Sequence, residues 1–166
     1  TGQQSPAVAM LSGGGYVVVW QSNGQDGSGW GIYGQRYTAS GEAVGGEFRV
    51  NTQGVGTQDV PQVAGLSNGG YVVVWEDSNS TDGSGWGVFA QRYDASGSAV
   101  GSNFVVNATT AGTQQDAAVA SYAGGFAVVW SADANVSGGN SQDIYLTRFD
   151  NAGAVVGTAQ QRVSVV

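Results

Sequence analysis

An unbroken apolar run that ends in tryptophan occurs three times along the chain. The copies are Tyr16–Trp20, Tyr71–Trp75 and Phe126–Trp130, and successive tryptophans are 55 residues apart. A fixed period of this size is typical of repeat proteins, in which each repeat is one supersecondary unit. We therefore divide the chain into three repeats, taken as residues 1–55, 56–111 and 112–166.

Each repeat is predicted to form four short strands. The apolar run is the second strand, and because it has no polar side, it must be covered on both faces. A turn of the Asp-Ala-Ser-Gly type follows the third strand, where the aspartate bonds the backbone ahead of it and the glycine tolerates a positive φ. These turns are predicted at residues 38–41, 94–97 and 150–153, and the last strand of the third repeat at Val155–Val163.

The pattern predicts an all-β fold of three repeats of about 55 residues, each with four antiparallel strands that form a β-propeller-like blade. One blade cannot bury both of its faces alone, so the repeats must stack on one another. A three-fold β-prism or trefoil is the alternative. Because closed propellers have about 4–8 blades, three blades fit a ring of two chains, a segment of a longer chain, or an open filament.

Charge and composition narrow the function. The 166 residues carry a net charge of −7 and include no lysine, histidine or cysteine. Such a chain repels polyanions, which excludes nucleic acid as a partner. It can form no Ser-His-Asp triad, thiolate nucleophile or Schiff base, so a carboxylate pair is the catalytic chemistry that remains. No apolar run is long enough to cross a membrane, so membrane insertion is not expected.

Further motifs recur with the apolar run: Asp-Gly-Ser-Gly-Trp at 26–30 and 82–86, and Gln-Arg-Tyr at 35–37 and 91–93. Together they resemble the tandem β-propeller-like blade repeats of large secreted bacterial proteins of the adhesin-like and repeats-in-toxin, calcium-binding type. The resemblance covers the whole chain and is weakest in the third repeat, which lacks Asp-Gly-Ser-Gly-Trp. It implies a secreted or cell-surface location and supplies no catalytic residues.

Acidic side chains gather at one predicted edge of the stack. In an up-and-down meander, the loop between the second and third strands lies at the same end as the linker to the next repeat. The acids of this edge are Asp26, Asp59, Glu76, Asp77, Asp82 and Asp116. Oxygen clusters suit Ca²⁺, which takes about 6–8 oxygen ligands, and we take Asp26, Asp77 and Asp82 as candidate metal ligands. Solvated loop carboxylates are the alternative.

Two tryptophans lie close to these acids in the sequence. Trp30 follows Asp26 by four residues, and Trp86 follows Asp82 by the same spacing. Aromatic rings beside polar groups are typical of ligand sites, and this combination indicates sugar binding by stacking and hydrogen bonding. We take all four residues as candidate ligand-binding residues; the alternative is that both tryptophans pack between blades.

Two further sets of repeated residues are interpreted as structural. The tryptophans close fully apolar strands, which favours a core position. The arginines recur once per repeat and suit a buried bond to an aspartate or to backbone carbonyls, with an anion-binding ring as the alternative. The predicted structural residues are Trp20, Trp75, Trp130, Arg36, Arg92 and Arg148.

The sequence therefore leads us to expect a non-enzymatic, extracellular structural or adhesive module that assembles with itself by blade-to-blade packing, with glycans as a second class of partner. A lectin-like carbohydrate-binding module is one alternative. A glycosidase is the other, with Asp26 and Asp82 as its carboxylates. These two acids follow the repeat, whereas a catalytic pair would more often break it.

Overall fold

The computed structural model describes residues 2–79, 82–133 and 142–164, which form an all-β structure. Its strands are β1 (Gln3–Met10), β2 (Tyr16–Asn23), β3 (Trp30–Tyr37), β4 (Ala43–Arg49), β5 (Gln58–Gly65), β6 (Tyr71–Asp77), β7 (Gly87–Tyr93), β8 (Ala99–Val105), β9 (Gln114–Tyr122), β10 (Gly125–Asp133), β11 (Gln142–Asp150) and β12 (Gln161–Arg162). Within these ranges, no helix of a length and apolarity that could cross a membrane is found.

The strands form three separate four-stranded sheets, each an antiparallel meander in sequence order. We call them the first blade (β1–β4), the second blade (β5–β8) and the third blade (β9–β12). The predicted turns join the third and fourth strands: the amide of Gly97 donates to the carbonyl of Asp94 at 3.0 Å, and that of Gly153 to Asp150 at 2.9 Å. The all-β fold of three four-stranded repeats is therefore confirmed.

The first strands of the blades, β1, β5 and β9, lie side by side and form the inner edge of the stack. Gly65 shows how closely these inner strands approach, because a Cβ atom there would overlap the main-chain oxygen of Met10. Each inner strand also has a bulge in which a non-glycine residue adopts a positive φ: Ser5 at 52°, Val60 at 46° and Asp116 at 56°. These bulges fall at the same place in every blade.

Each blade has an aromatic face and an aliphatic face, because alternate residues of the apolar run point to opposite sides. In the second blade, Tyr71 and Trp75 face the first blade, while Val72 and Val74 face the third; all four are buried. The aromatic face of one blade thus packs on the aliphatic face of the blade before it. This explains why the run has no polar side.

The outer strand of the third blade is shorter than predicted. Strand β12 pairs only at Gln161 and Arg162, with one isolated bridge between Phe149 and Val155. In the first blade, the side-chain amide of Gln35 donates to carbonyls of the outer strand, and Gln91 does the same in the second. The third blade has Thr147 at this position, and its hydroxyl donates to Ala159 instead. The shorter side chain removes the contact that orders this strand elsewhere.

Candidate functional site

The two aspartates that recur with the repeat lie in a repeated hydrogen-bond network. In the first blade, the amide of Asn51 donates to Asp26 at 3.5 Å and to Gln58 of the second blade at 2.7 Å, while its oxygen accepts the amide of Ile32 at 2.7 Å. Asp26 also accepts the amide of Ser28 at 3.2 Å. The network therefore fastens the loop of one blade to the start of the next.

The same network joins the second blade to the third. The amide of Asn107 donates to Asp82 at 2.9 Å and to Gln114 at 3.0 Å, and its oxygen accepts the amide of Val88 at 2.9 Å. Asp26 and Asp82 thus each bond an asparagine of their own blade. The structure places them in equivalent positions of neighbouring blades and does not join them in one network.

Asp77, the third predicted metal ligand, lies buried at the end of β6. Burial raises the pKa of its carboxyl, against the opposing effect of hydrogen bonds from the main chain of Asn79 and the side chain of Gln58. Across the three described ranges, no group of three or more acidic side chains is arranged to hold a metal ion. The calcium site at Asp26, Asp77 and Asp82 stays a prediction.

The five tryptophans, all of them predicted site or core residues, divide by their place in the stack. Trp30 and Trp86 are both half-buried at the loop edge. Trp75 and Trp130 are 1% exposed, whereas Trp20 is only half-buried because its side of the first blade has no neighbour among the described residues. A sugar-binding role for Trp30 and Trp86 stays a prediction.

A different group of acids lies where the second and third blades meet, at the inner edge. Asp59 of β5 is paired across the sheet with Glu76 of β6. One carboxylate oxygen of Glu76 accepts the main-chain amide of Asp116, on the bulge of β9, at 2.7 Å. Acidic residues from three strands therefore lie close together, and the Asp116 carboxylate itself accepts the hydroxyl of Ser131 at 2.7 Å. We call Asp59, Glu76 and Asp116 the acidic triad.

The interface between the first and second blades has a neutral counterpart of this group. Gln4 of β1 is paired with Gln21 of β2, and the side-chain oxygen of Gln21 accepts the amide of Val60 on the bulge of β5 at 2.8 Å. The geometry is the same, but the three residues carry no charge. The acidic triad therefore breaks the repeat chemically while it preserves the repeat geometrically.

Burial raises the pKa of two members of the triad, Glu76 and Asp59. Glu76 is 7% exposed, and its burial raises its pKa to about 7, an effect that Asp59 strengthens and the amides of Asp116 and Ala117 oppose. Burial also raises the pKa of Asp59, whose Oδ1 atom has no hydrogen-bond partner within the described ranges. Glu76 can hold a proton near neutral pH while Asp59 offers an oxygen lone pair, which is the combination required for acid–base chemistry.

The sequence analysis placed all three residues of the triad among the six acids of the loop edge but did not single them out. The signal is the departure from the repeat: Gln4, Gln21 and Val60 in one set of aligned positions become Asp59, Glu76 and Asp116 in the next. Gln4 and Asp59 are separated by the 55-residue period, as are Gln21 and Glu76, whereas Val60 and Asp116 align only when the bulges of β5 and β9 are superimposed. The candidate pair Asp26 and Asp82 was chosen because it recurs, and recurrence indicates a structural role.

The arginines connect consecutive blades. Arg36 of the first blade donates to the carbonyl of Ala95 in the turn of the second at 2.9 Å. Arg92 donates likewise to Asn151 in the turn of the third blade at 2.9 Å. Both bonds go to main-chain oxygens, and both arginines are half-buried. Arg148 is exposed.

The chain is similar in fold to solved structures over nearly its whole length. An endo-arabinanase of glycoside hydrolase family 43 from Bacillus licheniformis has 15% identity and a TM-score of 0.57, over 92% of this chain and 56% of that one. An α-L-arabinofuranosidase from Lactobacillus brevis has 15% identity and a TM-score of 0.59, over 98% of this chain and 53% of that one. A protein of unknown function from Dyadobacter fermentans has 15% identity and a TM-score of 0.60, over 96% of this chain and 53% of that one. This chain spans about half the length of each.

No protein-family model matches the chain, and no curated protein does. The solved structures are β-propeller folds, so the propeller-like part of the sequence resemblance is confirmed, while nothing in the comparisons supports its adhesin-like or repeats-in-toxin part. The expected non-enzymatic structural or adhesive module is contradicted, because two of the structures that share the fold are glycoside hydrolases. At an identity of 15%, the likeness to these structures shows the fold alone.

Proposed function

We propose that this chain belongs to a carbohydrate-hydrolysing propeller and that the acidic triad carries the reaction. The observation on which this depends is the replacement of Gln4, Gln21 and Val60 by three acids in the next set of aligned positions. Amides make the same structural contact at lower cost, so the acids call for a chemical reason. The fold shared with two glycoside hydrolases supports the choice of reaction.

Glu76 is the proton donor in this proposal. Its pKa of about 7 keeps a large fraction of the carboxyl protonated at neutral pH. In the first step, Glu76 transfers its proton to the glycosidic oxygen as the bond from that oxygen to the anomeric carbon breaks. The main-chain amide of Asp116, 2.7 Å from one Glu76 oxygen, holds the carboxyl in place.

Asp59 is the second carboxylate. It is half-buried and more accessible than Glu76. It either accepts a proton from the water that attacks the anomeric carbon, or attacks that carbon itself to form an ester that water then cleaves. The first route inverts the configuration of the sugar and the second retains it. The configuration of the first product, followed by NMR, distinguishes them.

Arabinose polymers are the substrates to test first, because the two hydrolases that share the fold act on arabinan and on α-L-arabinofuranosides by their names. We expect the chain to release reducing sugar from linear arabinan or p-nitrophenol from the aryl α-L-arabinofuranoside. Removal of a general acid typically lowers the rate about 10²–10⁴-fold, so we expect a loss of this size in Glu76→Gln. Asp59→Asn should lose activity as well.

The chain offers a matched control for this experiment. Glutamine already accepts the corresponding amide at position 21, so Glu76→Gln keeps the structural contact and removes only the titratable proton. Asp26→Asn and Asp82→Asn change the pair that follows the repeat and should leave kcat within a few-fold of the unsubstituted chain. Hydrolysis that survives Glu76→Gln, or no hydrolysis of either substrate by the unsubstituted chain, would contradict the proposal.

The location proposed for this activity is outside the cell or on its surface, with glycans as partners. Support comes from the likeness of the blade motifs to repeats of large secreted bacterial proteins. It also follows from the substrate class, because polysaccharides are too large to enter a cell intact. Immunodetection of the chain in the culture medium of its native host, against a cytoplasmic marker, tests this location.

A further inference from the structure

Two faces of the stack have no blade against them within the described residues. Ile144, on the aliphatic face of the third blade, is 42% exposed, whereas Ile32 and Val88 at the same position of the other blades are fully buried. Val8, on the aromatic face of the first blade, is 64% exposed, whereas its counterpart Val63 is 9% exposed. The stack thus ends in one uncovered aliphatic face and one uncovered aromatic face, the two that pair inside it.

The arginine contacts show what each aliphatic face binds. Arg36 donates to the carbonyls of Ala95 and Ser96, and Arg92 donates to that of Asn151. In both cases the arginine of one blade reaches the turn after the third strand of the next. The contact joins a cation to main-chain oxygens, so it depends on the turn geometry and tolerates sequence change in the turn.

The third arginine and the first turn are the complementary halves of one more such contact. Arg148 is exposed on the third blade, and Ala39 and Ser40 are exposed in the turn of the first. A Cβ atom at Gly97 or Gly153 would meet the side chain of the preceding arginine, whereas one at Gly41 would meet only the Tyr16 hydroxyl, at 3.7 Å. The first turn therefore has room for a guanidinium.

We propose that a second copy of this chain covers both open faces, so that two copies close into a ring of six blades. In this ring, the aliphatic face of the third blade packs on the aromatic face of the first blade of the other copy. Arg148 then donates to the carbonyls of Ala39 and Ser40 across the contact. Both new interfaces repeat the packing of the two interfaces within the chain.

Closure by two copies fits the number of blades. Six blades fall within the range of about 4–8 found in closed propellers. A closed pair buries both open faces of each copy, whereas an open filament leaves an uncovered face at each end.

The mass of the chain in solution tests the pair. We expect light scattering and sedimentation equilibrium at micromolar concentration to give twice the chain mass of 16.8 kDa. A folded monomer at every concentration would overturn the proposal. A series of larger species that grows with concentration would overturn it in favour of a filament.

Matched substitutions locate the contact. Arg148→Ala should raise the dissociation constant of the pair at least about tenfold, because it removes charge-assisted bonds at the interface. Arg162→Ala removes the same charge from an exposed arginine of the third blade that pairs with Asp143 at 2.6 Å, and should leave the pair intact. An equal effect of both arginine substitutions would contradict the assigned contact.

The apolar faces are tested by paired charges. Ile144→Asp and Val8→Asp each place a carboxylate on one open face, and each should give a folded monomer. Val55→Asp, on the exposed linker between the first two blades, is the control and should remain paired. Mixing the Ile144→Asp and Val8→Asp chains leaves one of the two interfaces unaltered and should partly restore the pair. Failure of the mixture to pair better than either variant alone would overturn the assignment of faces.

Discussion

The two interfaces within the stack have the same construction and differ in charge at one contact. Between the first and second blades, Gln21 accepts the amide of Val60 at 2.8 Å. Between the second and third blades, Glu76 accepts the amide of Asp116 at 2.7 Å, with Asp59 beside it. The neutral amide of Gln21 is therefore sufficient for two blades to stack. The acidic side chains at the second interface add a charge that stacking does not require.

A buried acid in place of an amide destabilises the fold when it ionises. Burial of Glu76 raises its pKa to about 7, because this environment disfavours its charged form. The preceding repeat makes the same contact with Gln21, which carries no charge, so the use of an acid at this position points to function. The difference between the interfaces is therefore the main internal support for the proposed site.

The largest effect on stability is expected at the tryptophans, and it should be similar at both interfaces. Trp75 lies at the first interface and Trp130 at the second, each 1% exposed. Replacement of either by alanine should lower the free energy of unfolding by about 3–5 kcal/mol, from lost burial and the cavity left behind. Urea denaturation measures this.

Trp20→Ala is the control for the tryptophan prediction. Its ring is only half-buried on the open aromatic face, so in dilute solution its removal should cost roughly 1–2 kcal/mol. An equal loss at Trp20 and Trp75 would mean that the aromatic face of the first blade is covered under those conditions. That result would connect the stability measurement to the state of assembly.

A pH-dependent effect should distinguish the two interfaces. Because the pKa of Glu76 is raised from its ordinary 4.5 to about 7, folding favours the protonated acid. The stability that comes from burying the protonated Glu76 carboxyl is fully present below pH 4.5, and it is lost as the pH rises through 7. Glu76→Gln should therefore match the unsubstituted chain near pH 4.5 and exceed its free energy of unfolding at pH 8 by on the order of 3 kcal/mol.

The converse substitution transfers this behaviour to the other interface. Gln21→Glu introduces an acid at the equivalent contact, and it should lower stability at pH 8 more than at pH 4.5. Denaturation curves of the two variants at both pH values give the comparison. Two results would show that the acid is not buried as described. In one, the free energy of unfolding of the unsubstituted chain does not fall between pH 4.5 and pH 8. In the other, it falls by the same amount in the unsubstituted chain and in Glu76→Gln.

Much of the fold could be predicted from the sequence because the repeat carries redundant information. The run Tyr71–Trp75 has no polar side, which requires a blade covered on both faces, and the glycine turns fix where strands reverse. The short outer strand of the third blade was not predicted. At this position Thr147 makes one bond, to Ala159, where Gln35 and Gln91 each reach two carbonyls of the outer strand, and strand patterning does not detect such a difference.

The site was less predictable for a related reason. Periodicity emphasises residues that recur, such as Asp26 and Asp82, and these bond the asparagines that hold consecutive blades together. Glu76 is adjacent to the apolar run, but its contact to Asp116 spans 40 residues and two blades. Strand pairing and the bulge of β9 create that contact, and neither can be located to one residue from the sequence.

The smallest expected effect lies in the arginine contacts, where the two interfaces differ by one hydrogen bond. Arg36 donates to two carbonyls, those of Ala95 and Ser96, whereas Arg92 donates to one. Bonds of this kind contribute about 1 kcal/mol each at partly exposed sites, so Arg36→Ala should cost about 1 kcal/mol more than Arg92→Ala in urea denaturation. Equal losses would mean that apolar packing of the arginine stems, and not their bonds to the turns, stabilises both interfaces.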